Sequence, residues 1–216
     1  MINVGRWSVF VLVVFMFYLA PIAMADSDNA RDIGFWQFER NAADSSGAGN
    51  DGEGYRVRYG PGAEGFALRA GNTGYVVIES SEALDARNGI YINLLLRLAS
   101  HEDSGTLVGR GIPGEDDCIW ALYTDNRSLI LEYTGTNEWT EEVRVSLDDF
   151  PLDTWIEIDA FINLPESYMA VETDYGSTWA YELNERAFMD ANPPLYIGDA
   201  FEGSLDEVLV SRPWDE

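Results

Sequence analysis

The sequence predicts an all-β fold, a two-sheet antiparallel jelly-roll sandwich. Apolar and polar residues alternate along many short segments, as in residues 90–98, where every second residue from Ile90 to Leu98 is Ile or Leu. A period of two with one apolar face is typical of a strand that packs on one side of a sheet. Gly, Asn, Asp, Ser and Pro separate these segments and favour turns. So many short strands predict two stacked sheets.

The candidate strands follow one another along the chain and are interrupted by a single predicted helix. In chain order, the strands are residues 35–39, 55–59, 65–70, 75–79, 90–98, 106–110, 119–124, 128–133, 142–147, 155–162, 168–173, 178–183, 195–197 and 204–211. Residues 184–189 predict a short helix with Asn184 as its N-cap. The polar tract 41–54 is interpreted as a loop inside the domain, because the aromatic strand before it needs a sheet to bury in.

Residues 1–25 have the pattern of a secretory signal peptide. Arg6 gives a positive start, residues 9–20 are almost entirely apolar, and Ala23 and Ala25 offer a cleavage site. An uncleaved membrane anchor is the alternative, but the run is short for a bilayer span, which needs about 20 apolar residues. We therefore expect one sandwich domain, residues 26–216, that is secreted or periplasmic and has no stable membrane insertion after signal cleavage.

The chain is strongly acidic. It has 38 acidic and 13 basic side chains, all of the latter arginine, and a formal net charge of -25. Such a surface repels nucleic acid and anionic lipid, so nucleic acid is excluded as a partner. The acids have two interpretations, adaptation to a saline environment or an array of calcium sites. Their scatter along the whole chain favours the first.

The lone cysteine and the lone histidine exclude two further possibilities. Cys118 is the only cysteine, so no disulfide forms within the chain, and a small buried side chain is the simplest interpretation. His101 is the only histidine. The residues around Cys118 and His101 match no nucleophile motif, which makes a thiol protease improbable.

Two stretches carry a family resemblance. Residues 195–208 read LYIGDAFEGSLDEV, an apolar strand, a glycine turn and a second strand with two acids. They resemble the closing hairpin of laminin G-like domains, members of the concanavalin A-like lectin/glucanase superfamily. The opening resembles the same family through WQFE at 36–39, DSSGAGNDG at 44–52, GFAL at 65–68 and GYVVI at 74–78. The resemblance implies a concanavalin A-like sandwich whose first and last strands are neighbours.

The resemblance also suggests where an enzyme would carry its acids. Laminarinase-type hydrolases of this superfamily use Glu-x-Asp-x-Glu on one strand, which places both glutamates on one face. Glu157 and Asp159 match the first two positions, but Phe161, or Ile162 in the version of the motif with one more residue, stands in place of the second glutamate. A retaining mechanism needs the second carboxylate. We therefore predict no catalytic residues and no enzyme activity, and interpret Glu157 and Asp159 as solvated acids on an outer sheet face.

Calcium is the cofactor that the resemblance implies, since superfamily members often hold it in loops at the sandwich edge through six to eight oxygen ligands. The predicted ligands are Asp44, Asn50 and Asp51 in a glycine-rich loop, completed by Asp206, or alternatively Glu207, on the last strand. The alternative is structural: Asp44 and Asn50 cap turns, and Asp206 pairs with a buried arginine. Residues 115–117 form a second, weaker acidic loop.

A carbohydrate surface would need exposed aromatic rings. Trp36 and Trp155 fall at positions that are usually buried, whereas Trp120, Tyr123, Tyr133, Trp139 and Trp179 are freer to be exposed. Of these, Trp120, Tyr123, Trp139 and Trp179 are the predicted carbohydrate-binding residues, although large aromatics are more often part of a core.

The predicted function is therefore that of an exported, non-catalytic binding domain. Its expected partner is a glycan or polysaccharide, recognised by aromatic stacking and by hydrogen bonds from loop carboxylates and amides. One alternative is a glycoside hydrolase or polysaccharide lyase of the same superfamily. Another is an adhesion module that binds a surface protein.

Overall fold

The computed structural model describes residues 31–71 and 73–212, which form an all-β, two-sheet antiparallel sandwich. The strands are β1 (Arg31–Trp36), β2 (Glu53–Tyr55), β3 (Arg58–Pro61), β4 (Phe66–Ala70), β5 (Tyr75–Ile78), β6 (Gly89–Leu98), β7 (Gly105–Arg110), β8 (Trp120–Asp125), β9 (Ser128–Thr134), β10 (Thr140–Ser146), β11 (Trp155–Asn163), β12 (Tyr168–Thr173), β13 (Gly176–Tyr181), β14 (Leu195–Ile197) and β15 (Gly203–Arg212). A single 3-10 turn, Glu82–Leu84, is the one helical element in these ranges.

The predicted signal peptide, residues 1–25, lies outside the described residues. Within residues 31–71 and 73–212, no helix is both long enough and apolar enough to span a bilayer.

The strands divide into two sheets. Sheet A has the order β13-β12-β11-β6-β15-β4-β3, with β1 also paired to β15, and sheet B has the order β10-β9-β8-β7-β14-β5-β2. Strands β1 and β15 run antiparallel with Arg31 opposite Arg212. The first and last described strands are thus neighbours, which confirms that expectation.

The core lies between the sheets, and strand alternation builds it. In β6, Ile90, Ile92 and Leu94 are fully buried, whereas Tyr91 and Asn93 between them face outward and are only partly buried. Burying each such aliphatic side chain stabilises the fold by about 1.5–3 kcal/mol. The intervening residues therefore form the outer face of each sheet.

The loop 41–54 belongs to the sandwich, as predicted. Trp36 at the end of β1 is fully buried, and its Nε1 donates a hydrogen bond to the carbonyl oxygen of Asn50 at 3.0 Å. The Asn50 side chain in turn donates to the carbonyl oxygen of Ile33 at 2.6 Å. The loop is therefore anchored to the first strand at two points.

Three predicted elements differ from the structure. Predicted strand 35–39 overlaps β1 only at residues 35 and 36, because β1 ends at Trp36 and the chain turns at Phe38, whose φ is +56°. Predicted strand 55–59 is divided at Arg56, whose φ of +52° turns the chain from β2 in sheet B to β3 in sheet A. Predicted helix 184–189 is wrong. That segment is irregular, because Phe188 forms a β-bridge with Gly135 and its ring meets that of Tyr133 at 5.8 Å.

Candidate functional site

The outer face of sheet A carries a cluster of aromatic rings, here called the aromatic platform. Its members are Tyr91 on β6, Phe161 on β11, Tyr168 on β12, and Trp179 and Tyr181 on β13. Strand pairing brings them together: Tyr91 lies opposite Phe161, and Tyr168 lies opposite Tyr181. Ala170 lies between Phe161 and Trp179 in the register, and its small side chain leaves room for the two rings to meet.

The five rings form one continuous contact network. Phe161 is its centre, with ring centroids 6.1 Å from Tyr91, 6.4 Å from Tyr168 and 5.6 Å from Trp179. Trp179 and Tyr181 lie nearly parallel, at 10° and 6.1 Å. Such contacts hold aromatic rings in defined orientations. The platform is therefore an ordered surface.

Exposure increases toward the edge of the sheet. Phe161 is 8% exposed, Trp179 36% and Tyr181 67%. Strand β13 is the edge strand of sheet A, so the last two rings have a sheet neighbour on one side only. A buried aromatic base with exposed rings at its margin can accept the flat face of a ligand without rearranging.

A row of polar side chains runs beside the platform on the same face and is here called the acidic row. It consists of Asn93, Glu157, Asp159 and Glu172, with Asn93 and Glu172 each directly opposite Asp159. Asn93 Nδ2 donates to Glu157 Oε1 and to Asp159 Oδ1, both at 3.0 Å. The Tyr91 hydroxyl donates to the same Asp159 oxygen at 2.5 Å. One hydrogen bond thus joins the aromatic platform to the acidic row.

Burial and neighbouring charge shift two pKa values here. Burial, reinforced by the carboxylates of Asp159 and Glu157, raises the pKa of Tyr91 far above its usual range. Burial and the nearby Asp159 raise the pKa of Glu172. Both shifts have the sign expected where negative charges are concentrated.

The hydrolase-like strand does not form a carboxylate pair of the retaining type. Glu157 and Asp159 share the outer face, as predicted, but the third position of the motif is occupied by Phe161 at the centre of the aromatic platform. The strand therefore supplies acceptors beside a ring cluster.

The outer face of sheet B presents a different arrangement. Glu132 on β9 is 8% exposed, and its Oε2 accepts a hydrogen bond from the Tyr123 hydroxyl at 2.7 Å. Its Oε1 lies 4.0 Å from Cys118 Sγ. Burial raises the pKa of Glu132 despite the bond from Tyr123. Burial, with Glu132 and Asp117, also raises the pKa of the Cys118 thiol far above its usual range.

Two cavities of about 490 and 460 Å³ meet at Glu132. Both also include Gly114, in the loop between β7 and β8, and we call the pair the Glu132 groove. The charged side chains that line it are all acidic: Glu115, Asp116, Asp125, Glu132, Glu138 and Asp199. The sequence analysis missed Glu132, although a lone acid within the apolar run 129–133 is a signal that could have singled it out.

The structure separates the four predicted carbohydrate-binding residues. Trp179 lies in the aromatic platform, Tyr123 lies in the Glu132 groove, and Trp139 is 72% exposed in the turn between β9 and β10. Trp120 was expected to be exposed and this was wrong, since it is 1% exposed and packs in the core. Tyr133 is likewise fully buried.

The predicted calcium loop is organised by Asp44 through hydrogen bonds. Its Oδ1 accepts from the backbone amides of Phe35 (3.0 Å) and Ser46 (2.8 Å), and its Oδ2 accepts from those of Gly49 (2.9 Å) and Asn50 (3.0 Å). Burial raises the pKa of Asp44, but these bonds and one from the Ser46 hydroxyl outweigh it and lower the pKa. Each oxygen accepts two amides, so the Asp44 carboxylate itself has little acceptor capacity left for a cation.

Asp206 makes its hydrogen bonds outside that loop. It is fully buried, and its two oxygens accept hydrogen bonds from the backbone amides of Ala63 (2.8 Å) and Glu207 (3.0 Å) rather than from an arginine. Burial raises its pKa. Throughout residues 31–71 and 73–212, no three His, Cys, Asp or Glu side chains gather in a way that could hold a metal ion. Calcium binding therefore stays a prediction.

The comparisons with known proteins establish the fold. No family model matches the sequence, and no curated protein matches it either. Solved structures do match. The binding domain of Paraclostridial Mosquitocidal Protein 1 superposes with a TM-score of 0.68 at 15% identity, over 86% of this chain and 49% of that one. Domain 4 of AbnA, a GH43 extracellular arabinanase from Geobacillus stearothermophilus, solved in complex with arabinotriose, gives 0.60 at 15% identity, over 85% and 93%.

A third match is botulinum neurotoxin type C, which depends on interaction with two ganglioside molecules to enter cells. It gives a TM-score of 0.62 at 12% identity, over 85% of this chain and 47% of that one. The chain thus spans about half the length of the toxin structures that it matches. At these identities the likeness demonstrates a shared β-sandwich, and the laminin G-like resemblance finds no family match beside it.

Proposed function

We propose that the chain is a non-catalytic binding domain whose ligand is a glycan and whose contact surface is the aromatic platform. The observation that carries this proposal is the platform itself, five mutually supporting rings with Trp179 and Tyr181 exposed at the edge of sheet A. Sugar rings have an apolar face and a rim of hydroxyl groups. The rings would take the apolar face, and the carboxylates of the acidic row would accept hydrogen bonds from the hydroxyls.

The fold neighbours support the same class of function. One is a domain in complex with arabinotriose, and another belongs to a toxin that interacts with gangliosides. A hydrolase or lyase remains the alternative from another class. The occupation of the second glutamate position by Phe161 argues against it.

The test is a direct binding measurement with a matched control. The purified chain is titrated by calorimetry against linear oligosaccharides, beginning with arabinotriose, and each mixture is checked for new reducing ends or unsaturated products. We expect binding without turnover. Trp179→Ala should weaken binding about tenfold, which is about 1.4 kcal/mol, because tryptophan is enriched among the few interface residues whose truncation costs most.

Trp139→Ala is the control, since it removes the same side chain from an exposed turn outside the platform. Equal losses for the two variants would contradict the platform assignment. Product formation would favour the enzyme alternative, and capture of a surface protein without any oligosaccharide binding would favour the adhesion alternative.

Export is part of the proposal and rests on residues 1–25. If the segment is a signal peptide, the protein recovered from outside the cytoplasm begins at Asp26. N-terminal sequencing of the exported protein tests this, and an intact Met1 on that protein would contradict it.

A further inference from the structure

We propose that the aromatic platform accepts uncharged glycans and rejects anionic ones such as sialylated, uronate-containing or sulfated chains. This inference rests on the proposed function, because it names the ligand class of the same surface. It comes from the charges that share the face with the rings.

Acids dominate the part of that face beside the rings, since Arg58 and Arg69 lie on β3 and β4, beyond β6 and β15. Three of the four members of the acidic row are carboxylates, and all lie on the strands that carry the platform. Along β6, the outward positions run from Tyr91 through Asn93 to Arg97. Arg97 is four residues from Asn93, about 13 Å along a strand, and it already pairs with Asp153 at 3.0 Å. Its charge is therefore both distant and compensated.

The carboxylates closest to the rings are fixed in place. Asp159 is held by Tyr91 and Asn93 together, and Asn93 also holds Glu157. A ligand on the platform therefore meets these negative charges where they stand, because turning Asp159 away would break two hydrogen bonds. Glu172, opposite Asp159, adds another acid on the side of β13.

A sugar hydroxyl and a sugar anion respond to this row in opposite ways. A hydroxyl donates to a carboxylate and forms a charge-assisted hydrogen bond. An anionic group about 4 Å from one carboxylate is repelled by about 1 kcal/mol even in bulk water, a loss of roughly fivefold in affinity per contact. The net charge of -25 adds to this repulsion at long range.

The ligands named with the fold neighbours include both an anionic and an uncharged glycan. Gangliosides carry anionic sialic acid, whereas arabinotriose is uncharged, and both are named with domains of this fold. The chemistry of the acidic row places the present chain with the second kind of ligand.

The experiment uses matched pairs that differ only in charge. One glycan array presents sialylated oligosaccharides beside their sialic acid methyl esters, and oligogalacturonate beside its methyl ester, at 0.15 M NaCl. We expect uncharged members to bind and each charged partner to bind at least fivefold more weakly. Raising NaCl to 1 M should reduce this gap in affinity between the uncharged and the charged member of each pair, because the Debye length falls from about 8 to about 3 Å.

Two charge-removing variants locate the effect. The double variant Asp159→Asn with Glu172→Gln should narrow the gap several-fold, whereas Glu142→Gln, on the outer face of sheet B, should leave it unchanged. Anionic members that bind as well as their uncharged partners, or a gap insensitive to salt, would overturn the inference and leave the proposed function standing. If no member binds, the proposed function fails and the inference falls with it.

Discussion

The outer faces of the two sheets both carry acidic and aromatic side chains, but these side chains differ in how far they are exposed. On sheet A, carboxylates lie in an open row beside rings that reach the surface. On sheet B, the Glu132 carboxylate is buried in a groove and accepts a hydrogen bond from the Tyr123 hydroxyl. The comparison teaches that exposure decides what an acid can do. The open row leaves carboxylate oxygens accessible from outside the protein, whereas the buried acid chiefly makes stability depend on pH.

The largest expected effect is on sheet A. Phe161→Ala removes the ring that contacts Tyr91, Tyr168 and Trp179, and since Phe161 is 8% exposed, we expect a loss of about 3 kcal/mol in unfolding free energy. Glycan binding should fall as well, because Trp179 loses its support. Urea denaturation measures the first effect and calorimetry the second. A loss below about 1 kcal/mol would mean that the platform is not a packed unit.

The next prediction compares the same substitution on both faces. Tyr123→Phe removes a hydrogen bond from buried Glu132 and should cost about 1–2 kcal/mol at pH 7, because a buried carboxylate is left short of a donor. Tyr91→Phe should cost less, since Asp159 keeps Asn93 as a donor and is partly exposed. Denaturation of the two variants in parallel gives the order, and a reversed order would contradict the distinction drawn between the faces.

Glu132→Gln should stabilise the protein at neutral pH, because the amide removes a buried negative charge. Burial raises the pKa of Glu132 in the folded state, so its contribution to stability is complete below its unfolded value, about 4.3, and is lost as pH rises through the folded value. Between mildly acidic and neutral pH, the variant should therefore lose less stability than the wild-type protein loses. Thermal unfolding across that range tests this, with exposed Glu157→Gln as the control. A destabilised Glu132→Gln at pH 7 would contradict it.

The smallest expected effect concerns calcium. Both oxygens of Asp44 are occupied by backbone amides, so we expect calcium to leave the melting temperature where an equal ionic strength of sodium chloride leaves it. A melting temperature that rises with the logarithm of calcium concentration would reveal binding to the folded state. Such a rise would support the predicted calcium site and contradict this expectation.

The alternation of apolar and polar residues predicted most of the strands. The predicted strand 168–173 coincides with the observed Tyr168–Thr173, and 90–98 differs from Gly89–Leu98 by one residue. Local signals failed where distant contacts decide the conformation. Asn184 offers a helix cap, yet Phe188 packs against Tyr133 from far away in the sequence. A tertiary contact of this kind overrides a weak local preference.

The site was harder to predict than the fold. Trp179 was identified as a candidate, but Tyr91 and Phe161 were not, although both stand at outward positions of strands that alternate clearly. Their meeting depends on the pairing of β6 with β11, which the sequence of one strand does not contain. The predicted exposure of Trp120 was wrong for a related reason. It lies in a segment apolar on both faces, where alternation does not reveal which side is buried.

The pairing of Arg31 with Arg212 brings the two ends of the described chain side by side in sheet A. Strand β13 lies four places away from β15 in the same sheet, about 19 Å at the usual strand spacing. A tether, a fluorescent label or a neighbouring domain attached at either end would leave from one part of the molecule, far from the rings on β13 but beside Tyr91, which lies opposite Ser211. Immobilising the protein through residue 31 or residue 212 should accordingly leave Trp179 and Tyr181 open to ligand and crowd the Tyr91 side of the platform.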